Sequence, residues 1–175
     1  MRRWLCISLG VFLLILIGCG MSNMPSQRPA DFSVVYSWQA GSLPPPYHYE
    51  YTITISSGGQ GDLVMVPSYP ADDFPRWQEP FQVEAADLDR LYQQFLDQGL
   101  FTRSWQAESE LRVGGSSEWL GVAAAGTEVT TPRQVAARHE PAATELYTAV
   151  KAMVPPAIWS KLEAQLKEYQ ESHQL

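Results

Sequence analysis

Polar and apolar residues alternate from Phe32, with Phe32, Val34, Tyr36 and Trp38 separated by Ser33, Val35, Ser37 and Gln39. This period of two predicts a β-strand with one buried face. Pro44-Pro45-Pro46 interrupts it, because each ring fixes φ and removes a backbone donor. The alternation then resumes over 47–57, with Tyr47, Tyr49, Tyr51, Ile53 and Ile55 on one side and His48, Glu50, Thr52 and Thr54 on the other. Gly58-Gly59-Gln60-Gly61 reads as a turn and Leu63-Val64-Met65-Val66 as the returning strand, together a hairpin. Prolines at 67, 70, 75 and 80 predict a long irregular excursion over 67–80.

The period then lengthens. Leu88, Leu91, Tyr92, Phe95 and Leu96 fall at helical spacing within 85–98, and Gly99 supplies a C-terminal stop. A short strand is expected at Leu100 to Trp105, and clearer ones at Glu118 to Ala124 and Glu128 to Thr131. Pro141 suits the first turn of a helix that carries Leu146, Tyr147, Val150 and Met153 inward. Pro155-Pro156 ends it, and a last helix runs from Ala157 to Ser172. Hairpins followed by helices predict a single α+β domain over 32–175, its antiparallel sheet covered on one face by about three helices.

The first residues follow a different logic. Arg2 and Arg3 precede an uncharged run, Trp4 to Ile17, in the layout of an export signal. The run is shorter than the roughly 20 residues a helix needs to span a bilayer. It closes on Leu16-Ile17-Gly18-Cys19, which resembles the lipobox of bacterial lipoproteins: an apolar residue, a tolerant position, a small residue, then cysteine. The resemblance covers about the first twenty residues. It implies that residues 1–18 are removed between Gly18 and Cys19, and that the Cys19 thiol carries a diacylglycerol. Two or more acyl chains, each contributing about 0.8 kcal/mol per buried CH₂, hold a protein stably on a membrane. The implied location is the cell membrane or outer membrane, with the domain facing the periplasm or the outside. Gly20 rather than aspartate follows the cysteine, a difference that in lipoproteins of two-membraned bacteria commonly permits sorting to the outer membrane, so the resemblance implies that destination in a host with such a system. Residues 19–31 then read as the lipidated cysteine and a flexible tether, being small, polar and proline-containing.

Removal of residues 1–18 would leave 157 residues and change the formal charge from 12 − 19 to 10 − 19, or −9. That acidity argues against nucleic acid and against electrostatic docking on anionic lipid. Cys6 would leave with the signal, so Cys19 would be the sole remaining cysteine and the domain would hold no disulfide.

Chemistry is sparse. His48, His139 and His173 stand apart in different elements without metal-ligand spacing, so no metal or cofactor beyond the covalent lipid is expected. Ser116 or Ser117, in Gly114-Gly115-Ser116-Ser117, could serve a hydrolase only if His48 or His139 met it in space, and the stretch otherwise reads as a turn. The acid pairs Asp72-Asp73, Asp87/Asp89 and Glu108/Glu110 read as solvated surface charge. Tyr69, Phe74 and Trp77, in the proline-rich stretch, form the one aromatic group outside a periodic element, a candidate contact for an envelope protein or glycan. The expectation is a lipid-anchored, non-catalytic interaction module, with an envelope hydrolase as the alternative. Mass spectrometry of the mature N-terminus should find a lipid on Cys19 and no residue from Met1 to Gly18; an unmodified cysteine or a retained signal would contradict the resemblance.

Overall fold

The computed structural model describes residues 24–69, 74–109 and 114–173. Gly18 and Cys19 lie outside the described residues, as do Asp72, Asp73 and Glu110. The strands are β1 (Ser33–Gln39), β2 (Tyr49–Ile55), β3 (Gln60–Pro67), β4 (Trp77–Gln82), β5 (Ser117–Ala124) and β6 (Thr127–Thr130), and the helices are α1 (Ala85–Asp97), α2 (Glu140–Lys151) and α3 (Pro156–Ser172). The strands form one antiparallel sheet in the order β4-β3-β2-β1-β5-β6. All three helices cover one face, giving the α+β architecture expected from the pattern.

The register explains the burial. Tyr36 sits opposite Ile53 on one side and Leu120 on the other, and Val34 opposite Ile55 and Val122. All six side chains are buried beneath the helices. Phe32 meets Tyr92 and Phe95 of α1 edge-on, with ring centroids 5.3 and 5.9 Å apart. Tyr36 meets Tyr147 of α2 at 5.5 Å. Trp38 stacks on Tyr51, whose other edge meets Trp159 of α3 at 5.1 Å. Such offset and edge contacts suit the ring quadrupole and add to the area buried.

Three expectations need correction. The first concerns 67–80, which is not irregular throughout: Trp77–Gln82 forms β4, with Pro80 opposite Asp62. An edge strand accommodates proline because only one side must supply ladder hydrogen bonds. The second is Leu100 to Trp105, where no strand forms. Gly99 adopts φ 68°, Leu100 N–H donates to the Phe95 carbonyl, and the Trp105 indole N–H closes on the Leu100 carbonyl at 2.9 Å, a helix-terminating turn.

The third concerns residues 24–31, read as part of a tether, which are docked on the domain. Tyr92 hydroxyl donates to Pro25 carbonyl (2.7 Å) and the Arg28 guanidinium meets Asp89 (2.7 Å). The Asp31 carboxylate accepts the backbone N–H groups of Ala125 and Gly126 in the β5–β6 turn, at 2.8 and 2.7 Å. Those two amides hold its pKa below the ordinary carboxylate value.

The face opposite the helices is bare among the described residues, and Val35 there is 36% exposed whereas Phe32 is fully buried. Phe32→Ala should therefore cost about 3–5 kcal/mol through lost transfer energy and a residual cavity. Val35→Ala, at a half-solvated position, should cost less than about 1 kcal/mol. Urea denaturation checks both, as a shift in midpoint at unchanged slope.

Candidate functional site

The strand directions give the sheet two different ends. At one lie the docked segment 24–31 and the tight turns of the β2–β3 and β5–β6 hairpins. The other end is more open, because the connections there are long and carry glycine. Gly41 follows β1 and lies so close to the residues before β5 that a Cβ on it would approach the Gly115 carbonyl oxygen to 2.3 Å. Gly114 and Gly115 take φ 85° and 80°, left-handed values that a side chain disfavours.

Two adjoining clefts open at this end and share Gly114, Gly115 and Gln134. The larger, about 290 Å³, lies between β5 and α2, with Ser116, Glu118, Arg133, Thr144 and Tyr147 on its walls. The smaller, about 190 Å³, is bounded by Ser42, His48, Tyr69 and Ser117.

Glu118, on the wall of the larger cleft, is the centre of a hydrogen-bonded group that reaches into the core. The Tyr36 hydroxyl donates to its carboxylate, and the Lys151 ammonium stands 3.8 Å from the same oxygen while lying over the Tyr36 ring. Beside it the Tyr147 hydroxyl and Thr131 Oγ1 are 2.9 Å apart, and Thr131 Oγ1 accepts the Leu120 N–H. Burial, reinforced by the bond to Glu118, pushes the Tyr36 hydroxyl far above the ordinary tyrosine range. Burial also pushes Tyr51 up to about 12, against the opposing hydrogen bond it shares with Tyr36. Tyr147 is raised by burial and by the Glu118 charge, with the Thr131 bond opposing. All three phenols therefore stay neutral at physiological pH, offering hydrogen bonds rather than a phenolate nucleophile.

His48, on the polar side of the 47–57 alternation, is only 2% exposed. Its Nδ1 lies 3.1 Å from the Gly41 carbonyl, so that nitrogen carries the hydrogen, and its ring stacks on Tyr69 at 3.8 Å. The Tyr69 hydroxyl in turn donates to the Leu43 carbonyl at 2.8 Å. Ser117 shares this cleft with His48, and Ser116 lines the other, yet neither serine hydrogen-bonds to a histidine. His139 lies elsewhere, buried beside Trp105 at the entry to α2. His173 stacks on Tyr169.

The aromatic trio is also divided. Tyr69 is 41% exposed at the cleft, whereas Trp77 belongs to β4 and meets Tyr169 of α3 edge-on at 6.1 Å, with Phe74 half-buried just before it. No ring contact joins the three. Asp87 pairs with Arg90, and Asp89 with Arg28. No three His, Cys, Asp or Glu side chains converge among the described residues.

Sequence reasoning did not single out Glu118, Tyr36, Lys151 or Tyr147 as a group. One signal was available: Glu118 falls in step with Leu120, Val122 and Ala124, a charge on the inward stripe of β5. Its partners come from β1 and α2, which local pattern does not bring together.

No family model matches the chain, and no curated protein matches it.

His139 provides a test of local electrostatics. Its Nε2 accepts from Arg138 Nε at 3.3 Å, which requires the neutral ring. Burial lowers its pKa, and the charges of Arg138 and Arg103 lower it further. The unfolded chain therefore takes up this proton first as the pH falls through the ordinary histidine value of about 6.5, and the stability that the neutral ring contributes above that pH is lost toward the folded-state pKa. Thermal midpoints of wild type and His139→Gln should converge as the pH is lowered through the ordinary histidine value of about 6.5; a constant gap would contradict this.

Proposed function

We propose that the chain is a lipid-anchored cell-envelope protein that works as a binding module, held by Cys19 and engaging another envelope component at the glycine-rich cleft. The anchor rests on the sequence: the basic pair, the short apolar run and Leu16-Ile17-Gly18-Cys19 coincide. The binding role rests on one observation, that the open end of the sheet gathers hydrogen-bonding groups in two connected clefts instead of closing over.

Glu118, Tyr147, Thr144 and Ser116 supply donors and acceptors at the larger cleft. Tyr69 adds an exposed aromatic ring at the smaller one, held flat by His48. A few fixed polar groups around an aromatic edge suit recognition of a polar surface, as in a peptide or glycan. The two glycines matter here because any side chain would have to project from left-handed backbone at the rim. Tyr69 thus keeps the role of candidate contact, in company different from Phe74 and Trp77.

The experiment is photocrosslinking in intact envelopes, with a benzophenone amino acid placed singly at Ser116, at Thr144 and, on the bare face of the sheet, at Thr54. All three positions are exposed. Positions 116 and 144 should yield a common adduct that position 54 does not. Absence of any adduct at the two cleft positions, or the same adduct from all three, would defeat the reading.

A further inference from the structure

We infer that the end of the sheet bearing the β2–β3 and β5–β6 turns is held against the lipid headgroups, so that the glycine-rich cleft at the other end points away from the membrane. This rests on the reading of Cys19 as the lipid-bearing residue, and it adds an orientation that a lipid anchor alone does not impose.

Six hydrogen bonds through four side chains fix the path of the chain as it leaves the domain. Asp31 caps the β5–β6 turn, Arg28 reaches both Asp89 and the Ser57 carbonyl in the β2–β3 turn, and Tyr92 and Gln93 of α1 donate to the carbonyls of Pro25 and Ser26. Met24, where the described chain begins, packs on the hydrophobic core. Cys19 is five residues before it, and five residues reach at most about 18 Å when fully extended. A tether of 19–31 left free would reach about 45 Å by the same measure and would let the domain tumble over the membrane. Docking shortens it to a length similar to that of β1, whose seven residues separate the two ends by about 20 Å.

Charge does not hold this end on the bilayer. Arg28 and Arg90 are each already paired with an acid, Asp89 and Asp87. The constraint is the short covalent leash leaving from one end of the domain, and it should persist on a neutral membrane and at raised salt.

The test uses the full, lipid-processed protein in phosphatidylcholine vesicles that carry nitroxide-labelled headgroups. Ser57→Cys, in the β2–β3 turn, and Ser42→Cys, beside the cleft, each receive a fluorophore; both positions are exposed. The Ser57→Cys label should lose several-fold more fluorescence to the nitroxide than the Ser42→Cys label. A triple variant that undocks the segment, Arg28→Ala with Tyr92→Phe and Gln93→Ala, should bring the two values together while keeping the far-ultraviolet spectrum of the folded domain. Equal quenching in the docked protein, or an asymmetry unchanged in the triple variant, overturns the orientation. Flotation of the same samples separates the two readings: protein that fails to float with vesicles overturns the anchor itself, and with it the orientation.

Discussion

The two-sided pairing of β1 is the constraint on which the other packing depends. Its backbone is hydrogen-bonded to β2 along one edge and to β5 along the other. The inward side chains of β1 and of Phe32 just before it meet each helix in turn, Phe32 under α1, Tyr36 under α2, and Trp38 joined through Tyr51 to Trp159 of α3. A central strand cannot shift by one residue without exchanging its buried and solvated sides, so this alternation sets the register of the whole sheet. Dense aromatic contact holds the helices on it.

That rigidity gives the two ends of the sheet separate characters. At the hairpin end the backbone amides are satisfied locally, by Asp31 at one turn and by the glycine turn at 56–60 at the other. The incoming segment 24–31 lies along this end and shares its hydrogen bonds. At the opposite end the close passage of Gly41 and Gly115 leaves room for clefts, and Glu118 brings a charge to the edge of the core. Tyr36 and Lys151 share that charge, which keeps a half-buried carboxylate from being left without a partner.

Much of the fold was legible because its signals are local. Period-two alternation marked β1 and β2, helical spacing marked α1, and Gly59 and Gly99 mark sites where φ is positive. β4 was not legible: Trp77–Gln82 contains Pro80 and takes its strand character from the partner β3, and proline reads as an interruption until an edge position is known. Segment 24–31 has no apolar period, so its polar, proline-containing sequence reads as tether; its contacts are with turns and a helix far along the chain. The burial of His48 likewise depends on Tyr69 and Gly41, neither of which its own strand pattern specifies. The Tyr69, Phe74 and Trp77 group dissolved for the converse reason, since nearness in sequence placed together rings that pack on different elements.

By itself the sequence determined the kinds of element, most of their positions and the layered α+β architecture, because backbone propensity and hydrophobic period act over a few residues. Tertiary structure alone decided that β1 is central, that a proline-bearing stretch completes the sheet, that the segment before Phe32 is docked, and that Glu118 meets Tyr36 and Lys151. Each of these joins residues distant along the chain, and the free energy that selects them arises only when the elements pack against one another.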